Sequence, residues 1–384
     1  MAMTWPEPKR QPSDRLGSLA AWAVPPLVAL VGAIGASTLY SVAGGSMEPW
    51  AMRHVTRMIL GFALMLGTAM VPPRVWMGLA YPVYGLTLLA VVAVLLRGTQ
   101  ALGAQRWLDL GPVSLQPSEV MKLALILVLA RYFHGLRPQR ISHPLWVGLP
   151  FLLVAVPMLL IAKQPDLGTA SLLGLTGLVM MFLAGPGLVY FAAGGAALAC
   201  VLPLVWHFMH DYQRQRILVF LDPAIDPLGR GYQIYQSKIA LGSGGFTGKG
   251  FLQGTQTHLN FVPEKHTDFA FALWAEETGF VGSAILIALF LALIWCLMLM
   301  AWRSRSVFAR LTIAGVATLL FLHVFVNIAM VVGVAPVVGV PLPLVSYGGT
   351  SLFSLMFGLG LAMGLAGTGE VRRLAFFLGP RQRH

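Results

Sequence analysis

Between residues 167 and 210 the chain carries no Asp, Glu, Lys or Arg, and its one cluster of helix breakers is Gly185-Pro186-Gly187. A run this apolar must satisfy its own backbone polar groups away from water, so it forms either helices or part of a closed barrel. Its apolar residues show no period-2 alternation, which argues against a barrel. Each half is close to the roughly 20 residues that a helix needs to cross about 30 Å of hydrocarbon. The run therefore reads as two antiparallel membrane helices joined at the glycine turn.

The rest of the chain repeats the pattern. With 57% hydrophobic and 10% charged residues and a mean hydropathy of +0.76, it falls far from a soluble globule, which carries about 25% charged residues. Apolar runs predict spans near 20–42, 56–72, 75–96, 118–134, 145–162, 167–184, 187–206, 271–301, 309–331 and 346–367. The expected fold class is an all-α polytopic membrane protein of about ten transmembrane helices, with a long extracytoplasmic loop between helices 7 and 8. A single transmembrane domain then fills 1–384, with a head at 1–19, the loop at 207–272 and a tail at 368–384.

Ten spans put both termini on one side, and the Lys/Arg bias makes that side cytoplasmic. Fourteen of the 26 basic residues fall in short segments there, whereas eleven of the fourteen acidic residues fall outside. The outside cations, Arg53, Arg57, Arg97, Arg106, Lys122 and Lys163 among them, exceed what topology asks for. They fit either ion pairing among loops or an outward-facing polar cavity. The net charge of +12 sits in clusters between spans, so nucleic acid is not an expected partner. The two cysteines, Cys200 and Cys296, lie inside apolar runs and indicate neither a disulfide framework nor a thiolate metal site. The N-terminal apolar run is too long for a typical cleaved signal peptide and reads as the first span.

Residues 207–272 hold eleven of the forty charged residues, a polar island that fits a lid, a binding surface or a catalytic loop. Residues 232–241 predict a short amphipathic helix on the outer surface, with Tyr and Ile toward lipid and Gln236 and Lys238 toward the polar side. The run Gly242–Gly250 lacks the Gly and Ser/Thr positions of a phosphate-binding Walker loop. Plain flexibility ranks before an anion-binding backbone nest there. Asp268 stands where the island enters the eighth span. It is either a first-turn acid that complements the helix dipole, or a carboxylate kept ionised by Lys265, His266 and the helix N-terminus and suited to accept a proton. Glu276 and Glu277 follow two to three turns deeper, so at least one points into the bundle or a polar groove.

Three further outside segments carry polar chemistry. After Pro117, Glu119 and Lys122 share one helix face; they neutralise each other or bind a ligand, since a Lys one turn into a span needs a partner or an anion. Asp166 is placed to cap the sixth span. Residues 336–351, rich in Pro and Gly, read either as a broken helix with Ser346, Tyr347 and Thr350 facing a cavity or as a capped helix start.

Taken together, Arg106-Trp107-Leu108-Asp109-Leu110, Gln116 to Lys122, Gln164 to Gly168, Gly242 to Gly250, Phe261 to Phe269, Glu276-Glu277 and Pro343 to Gly349 resemble the SEDS family (shape, elongation, division and sporulation proteins), its RodA branch more than its FtsW branch. The likeness covers nearly all ten spans in order. His266-Thr267-Asp268-Phe269 with Ser346-Tyr347-Gly348-Gly349 is its most specific combination, and Trp274 departs from it where a smaller or aliphatic residue is expected.

The resemblance implies an inverting peptidoglycan glycosyltransferase of the bacterial cytoplasmic (inner) membrane, with its active site facing outward and a role in cell elongation. It would transfer a polyprenyl-pyrophosphate-linked glycan chain onto the 4-hydroxyl of lipid II. Its implied partners are a class B penicillin-binding transpeptidase and the elongation machinery. Asp268 falls on the family's essential acid and becomes the general base. Glu119 and Lys122 fall on the polar pair of the substrate cavity; Arg106, Arg216, Lys265, His266, Ser346 and Tyr347 complete the expected substrate contacts. No cofactor is required by the pattern, and a weakly bound Mg²⁺ or Mn²⁺ at Glu264, His266 and Asp268 stays open. The competing readings are a flippase for the same lipid-linked precursor and a scaffold that only docks a partner.

Overall fold

Each expected span lies on a long helix. The computed structural model describes residues 14–101, 104–109, 114–208, 211–226, 229–255 and 266–366. Its long helices are α1 (Asp14–Val42), α2 (Ala51–Met70), α3 (Pro73–Arg97), α4 (Pro117–Gly135), α5 (Pro144–Lys163), α6 (Leu167–Ala184), α7 (Leu188–Phe208), α10 (Ala270–Arg303), α11 (Val307–Val332) and α12 (Gly349–Ala366). Among the described residues seven of these, α1, α3, α5, α6, α10, α11 and α12, are long and apolar enough to cross a membrane. Of the others, α2 carries Arg53 and Arg57, and α4 carries Glu119, Lys122 and Arg131. The ten expected spans thus fall on ten long helices, and charged side chains lie inside several of them, Glu119 and Lys122 of α4 and Glu276 and Glu277 of α10 among them.

The expected 207–272 loop is partly helical. It contains α8 (Asp211–Leu221), a 3₁₀ turn at Pro223–Ile225 and α9 (Arg230–Gly244). The predicted surface helix lies within α9, and one of its faces, Ile234 included, packs into the bundle. Ile234, Ser237 and Ala240 are buried, the face packs on α10 and α11, and Ser237 Oγ donates to the Val331 carbonyl at 3.0 Å. Tyr235, Lys238 and Ile239 are exposed. Spacing of i, i+3 and i+6 put the small and branched residues on one face, and small residues let helix backbones approach.

One addition to the all-α bundle is a small antiparallel sheet between α3 and α4, built from β1 (Thr99–Ala101), β2 (Ala104–Asp109) and β3 (Ser114–Leu115). Residues Thr99↔Trp107 and Leu108↔Leu115 are partners in it.

The core is set by α4. Its apolar residues run all round the helix rather than along one stripe, which marks a helix surrounded by protein, and nearly every residue from Pro117 to Phe133 is buried. Helices α3, α6, α11 and α12 pack around it. Helix α12 in turn lies against α2, where Gly364 approaches Ala69 so closely that a Cβ would stand 2.7 Å from its carbonyl oxygen. The consequence for function is that Glu119 and Lys122 sit on the most enclosed helix of the bundle.

Candidate active site

Pro117 opens α4 at a first-turn position whose N–H a helix leaves unpaired. Glu119 and Lys122, three residues apart, then meet on one face, with Lys122 Nζ donating to Glu119 Oε1 at 2.8 Å. Lys122 is 1% exposed and Glu119 8%, so both charges have left water and depend on partners. The second partner comes from α11. His323 Nε2 lies 2.9 Å from Lys122 Nζ, while its Nδ1 lies 2.8 Å from the Leu319 carbonyl. A carbonyl can only accept, so Nδ1 carries the proton and Nε2 accepts from the lysine. Ser354 of α12 donates to the Glu119 backbone carbonyl at 3.0 Å.

These groups line a small, partly open recess together with Leu319, Pro341, Pro343, Ser351 and Leu355. An ammonium has three donors. Glu119 and His323 take two, and among the described residues the third has no hydrogen-bond partner.

The second half of the site is the turn His266–Phe269 that leads into α10. Asp268 is half-buried there, and the N-cap of α10 is Phe269, so Asp268 stands outside the helix rather than at its cap. Its backbone carbonyl accepts from Asn327 Nδ2 at 2.9 Å, and the same nitrogen donates to the Val340 carbonyl at 2.7 Å. Gly339, with φ of +73°, lets the following loop pass the acid: a Cβ there would stand 3.4 Å from Asp268 Oδ2. His323 and Asn327 are four residues apart on α11, one turn or about 6 Å along its axis. One helix therefore holds both Lys122 and the Asp268 turn.

An aromatic column braces this turn. His266 stacks on Trp50 with ring centroids 5.0 Å apart and meets Tyr347 at 6.2 Å; the Arg57 guanidinium lies 4.3 Å from the Tyr347 ring centroid. Tyr347 N–H donates to the His266 carbonyl at 2.8 Å. Two expected site residues, His266 and Tyr347, are thus in contact with each other, and Trp50 and Arg57 join them without having been singled out as site residues. Arg57 had a signal, as one of the outside cations that topology left unexplained. His323 and Asn327 had one too, two polar residues at i, i+4 inside an apolar span.

The remaining expected residues fall apart from this centre. Ser346 Oγ accepts from the Leu342 N–H at 2.9 Å and Ser346 N–H donates to the Leu342 carbonyl at 3.0 Å, so its hydroxyl closes the 342–346 turn. Thr350 Oγ1 is 3.5 Å from Gln116 Oε1. The 333–348 segment is non-helical and α12 begins at Gly349, so the break falls before the helix rather than within it. Arg216 is half-buried on α8, which packs on α9, and does not line the recess. Lys265 and Glu264 lie outside the described residues, as does the side chain of Arg106 on β2. Among the described residues no three His, Cys, Asp or Glu side chains form a metal-binding group.

A true helix break does occur, in α10 at Gly279 (φ +65°, ψ −158°). The glycine run repairs it. Lys249 and Gly250 donate backbone N–H groups to the Glu276 and Glu277 carbonyls at 3.1 and 3.0 Å, and Phe280 and Val281 N–H groups reach the Gly245 and Phe246 carbonyls at 3.0 and 3.1 Å. The groups freed by the break are paired by the loop, as membrane depth requires, so the run is docked structure rather than the plain flexibility its composition predicts. Both acids beside the break are buried. Glu276 accepts from Lys249 Nζ at 2.6 Å, and Glu277 accepts from the Ser41 hydroxyl. Trp274 donates its indole N–H to the Gly282 carbonyl at 2.9 Å, spanning the break. Asp166 caps α6, accepting from the Thr169 N–H at 3.3 Å, as its position predicts.

The comparisons with known proteins agree with one another. The chain is 46% identical over 335 residues to peptidoglycan glycosyltransferase MrdB of Escherichia coli (strain K12), covering 86% of this chain and 89% of that protein. Its fold matches a chain of a peptidoglycan synthase complex whose structure concerns the coordination of polymerization and crosslinking (TM-score 0.79, 36% identity, 90% of this chain and 97% of that one). It also matches the rod shape determining protein RodA of Thermus thermophilus (TM-score 0.68, 32% identity, 90% and 96%). The family model described as cell cycle protein, for FtsW, RodA and SpoVE, matches residues 18–368, and the chain with the buried Lys122 and the braced Asp268 turn belongs to that family, the SEDS proteins.

Proposed function

We propose that this chain is a peptidoglycan glycosyltransferase that extends a lipid-linked glycan on lipid II, with Asp268 as general base. The observation that carries the reading is the pairing of Lys122 and the Asp268 turn by His323 and Asn327 on one helix. The reaction needs a base at the acceptor hydroxyl and a cation at the pyrophosphate of the donor. The acceptor 4-hydroxyl loses its proton to the Asp268 carboxylate as its oxygen attacks the anomeric carbon of the donor. The bond from that carbon to the pyrophosphate oxygen breaks with inversion, and polyprenyl pyrophosphate leaves. Lys122 supports the leaving anion, where a positioned donor in a water-poor site counts most; Glu119 holds the lysine in place. Arg106, Arg216 and Lys265 are proposed as further contacts to the pyrophosphate, and His266, Ser346 and Tyr347 as the wall beside the sugars.

The orientation follows from charge. The basic segments at both ends of the chain face the cytoplasm by the positive-inside bias, so the Asp268 end faces outward in a bacterial cytoplasmic membrane. Crosslinking requires a second activity, and likeness to a chain of a peptidoglycan synthase complex supports a class B penicillin-binding transpeptidase as partner.

The test is polymer formation from lipid II by the full chain with its transpeptidase partner. Asn keeps the size of Asp and one acceptor oxygen but cannot serve as a base, so Asp268→Asn is expected to abolish polymer at unchanged abundance. Polymer at the wild-type rate overturns the catalytic assignment. Movement of lipid II between leaflets with no polymer from wild type would favour a flippase instead.

A further inference from the structure

We propose that His323 is a positioning residue for Lys122, and that its neutral imidazole sets which way the lysine's free donor points. The inference rests on the reading that Lys122 meets the pyrophosphate of the lipid-linked substrate. An ammonium bonded only to Glu119 can swing on its side-chain torsions and lean onto the carboxylate. A second acceptor stops that swing and fixes where Nζ, and so its third N–H, stands. His323 supplies one at 2.9 Å, and its own ring is held by the Nδ1 contact to the Leu319 carbonyl at 2.8 Å within the same helix. That contact puts the proton on Nδ1 and leaves Nε2 as an acceptor, the only tautomer that suits a protonated lysine.

Burial makes the arrangement selective. His323 is 8% exposed and Lys122 1%, and both line the recess with Glu119 and Ser354. With two N–H groups of the ammonium committed, one donor remains for the anion. The site is therefore matched to a single oxygen of a phosphate at this point rather than to a carboxylate fork, which favours paired donors such as those of arginine.

The consequence can be read in binding as well as in turnover. Initial rates of lipid II polymerisation are measured for the full chain with its transpeptidase partner, with inorganic pyrophosphate as a competing anion. His323→Leu removes the acceptor and is expected to raise both KM for lipid II and the pyrophosphate inhibition constant by about tenfold, the scale of one hydrogen bond to a charged group. His323→Gln restores a carbonyl oxygen of similar reach and is expected to recover most of that loss. A residue that only fills space would change the active fraction but move neither constant, and Gln would not rescue it. His323→Asn, shorter than the imidazole, carries the same expectation as Leu if the Leu variant does not fold.

Lys122→Gln separates the positioning role of His323 from the leaving-group role of Lys122. If it raises the pyrophosphate constant while a folded His323→Leu leaves it unchanged, the positioning role is overturned and the leaving-group reading stands. If Lys122→Gln itself leaves the constant unchanged, the leaving-group reading fails and the positioning role falls with it. In the double variant Lys122→Gln/His323→Leu, no loss beyond Lys122→Gln alone supports the proposal; additive losses overturn it.

Discussion

The side-chain amide of Asn327 donates to the backbone carbonyls of Asp268 and Val340 from a single nitrogen, at 2.9 and 2.7 Å, in a position with no solvent exposure. It joins the turn that bears the acid to the loop that contains Gly339, and both to α11. Two carbonyls left without a donor at this depth cost about 1–3 kcal/mol each. Asn327→Ala is therefore expected to lower thermal stability in detergent and, because small displacements of a catalytic group cost on the order of 100-fold, to cut the polymerisation rate by more than its loss of folded protein explains. Equal losses of rate and folded fraction would show that Asn327 only stabilises the fold.

The Trp50 ring sets the other side of the same turn. Stacked aromatic pairs contribute about 0.5–1.5 kcal/mol beyond their area, and His266 lies two residues before Asp268. Trp50→Ala is expected to slow polymerisation two- to tenfold with little change in melting temperature, and Trp50→Phe to restore most of the rate by keeping a flat ring under His266. A Phe variant as slow as Ala would mean that the indole acts through something other than stacking.

Part of this arrangement is legible in the sequence. Glu119 and Lys122 at i, i+3 behind a proline share one helix face, and a lysine one turn into a span asks for a partner or an anion. What periodicity could not name was His323, 201 positions away, because nothing in an apolar span says which neighbouring helix its one polar face meets. The glycine run shows the same limit. Its composition is that of a flexible segment, and only the break at Gly279, which comes from the tertiary fit of Gly248 beneath the Glu277 carbonyl, gives it a fixed place. The small sheet at Thr99–Leu115 was also hidden, since strands of two to six residues carry too few positions for alternation to stand out.

That break yields a prediction about backbone alone. Gly279 has φ of +65° and a Cβ there would stand 2.7 Å from the Phe246 carbonyl oxygen, so a side chain meets both an unfavourable dihedral region, costing about 1–3 kcal/mol, and fixed backbone. Gly279→Ala is expected to lower the melting temperature sharply, whereas Gly78→Ala, in α3 with open space around its Cβ position, should leave stability the same or slightly higher by the helix propensity of alanine. Equal melting temperatures for the two variants would show that the loop at Phe246–Gly250 is free to move away.

Lys249 and Glu276 provide the last test, because their burial is unequal. The lysine side chain keeps 25% of its exposure and the glutamate none, with 2.6 Å between Nζ and Oε1, and Thr255 Oγ1 lies 3.2 Å from the same carboxylate oxygen. Removing the exposed partner takes the Lys249 ammonium from a fully buried carboxylate, a change that costs about 3–5 kcal/mol for buried pairs. Lys249→Met is thus expected to destabilise the protein strongly. Glu276→Gln in the Lys249→Met background removes the buried charge while keeping an acceptor for Thr255, and is expected to recover much of the loss in a double-mutant cycle measured by thermal unfolding. If the double variant is no more stable than Lys249→Met alone, the cost lies in the lost packing of the lysine stem against the loop, and the ion pair itself contributes little.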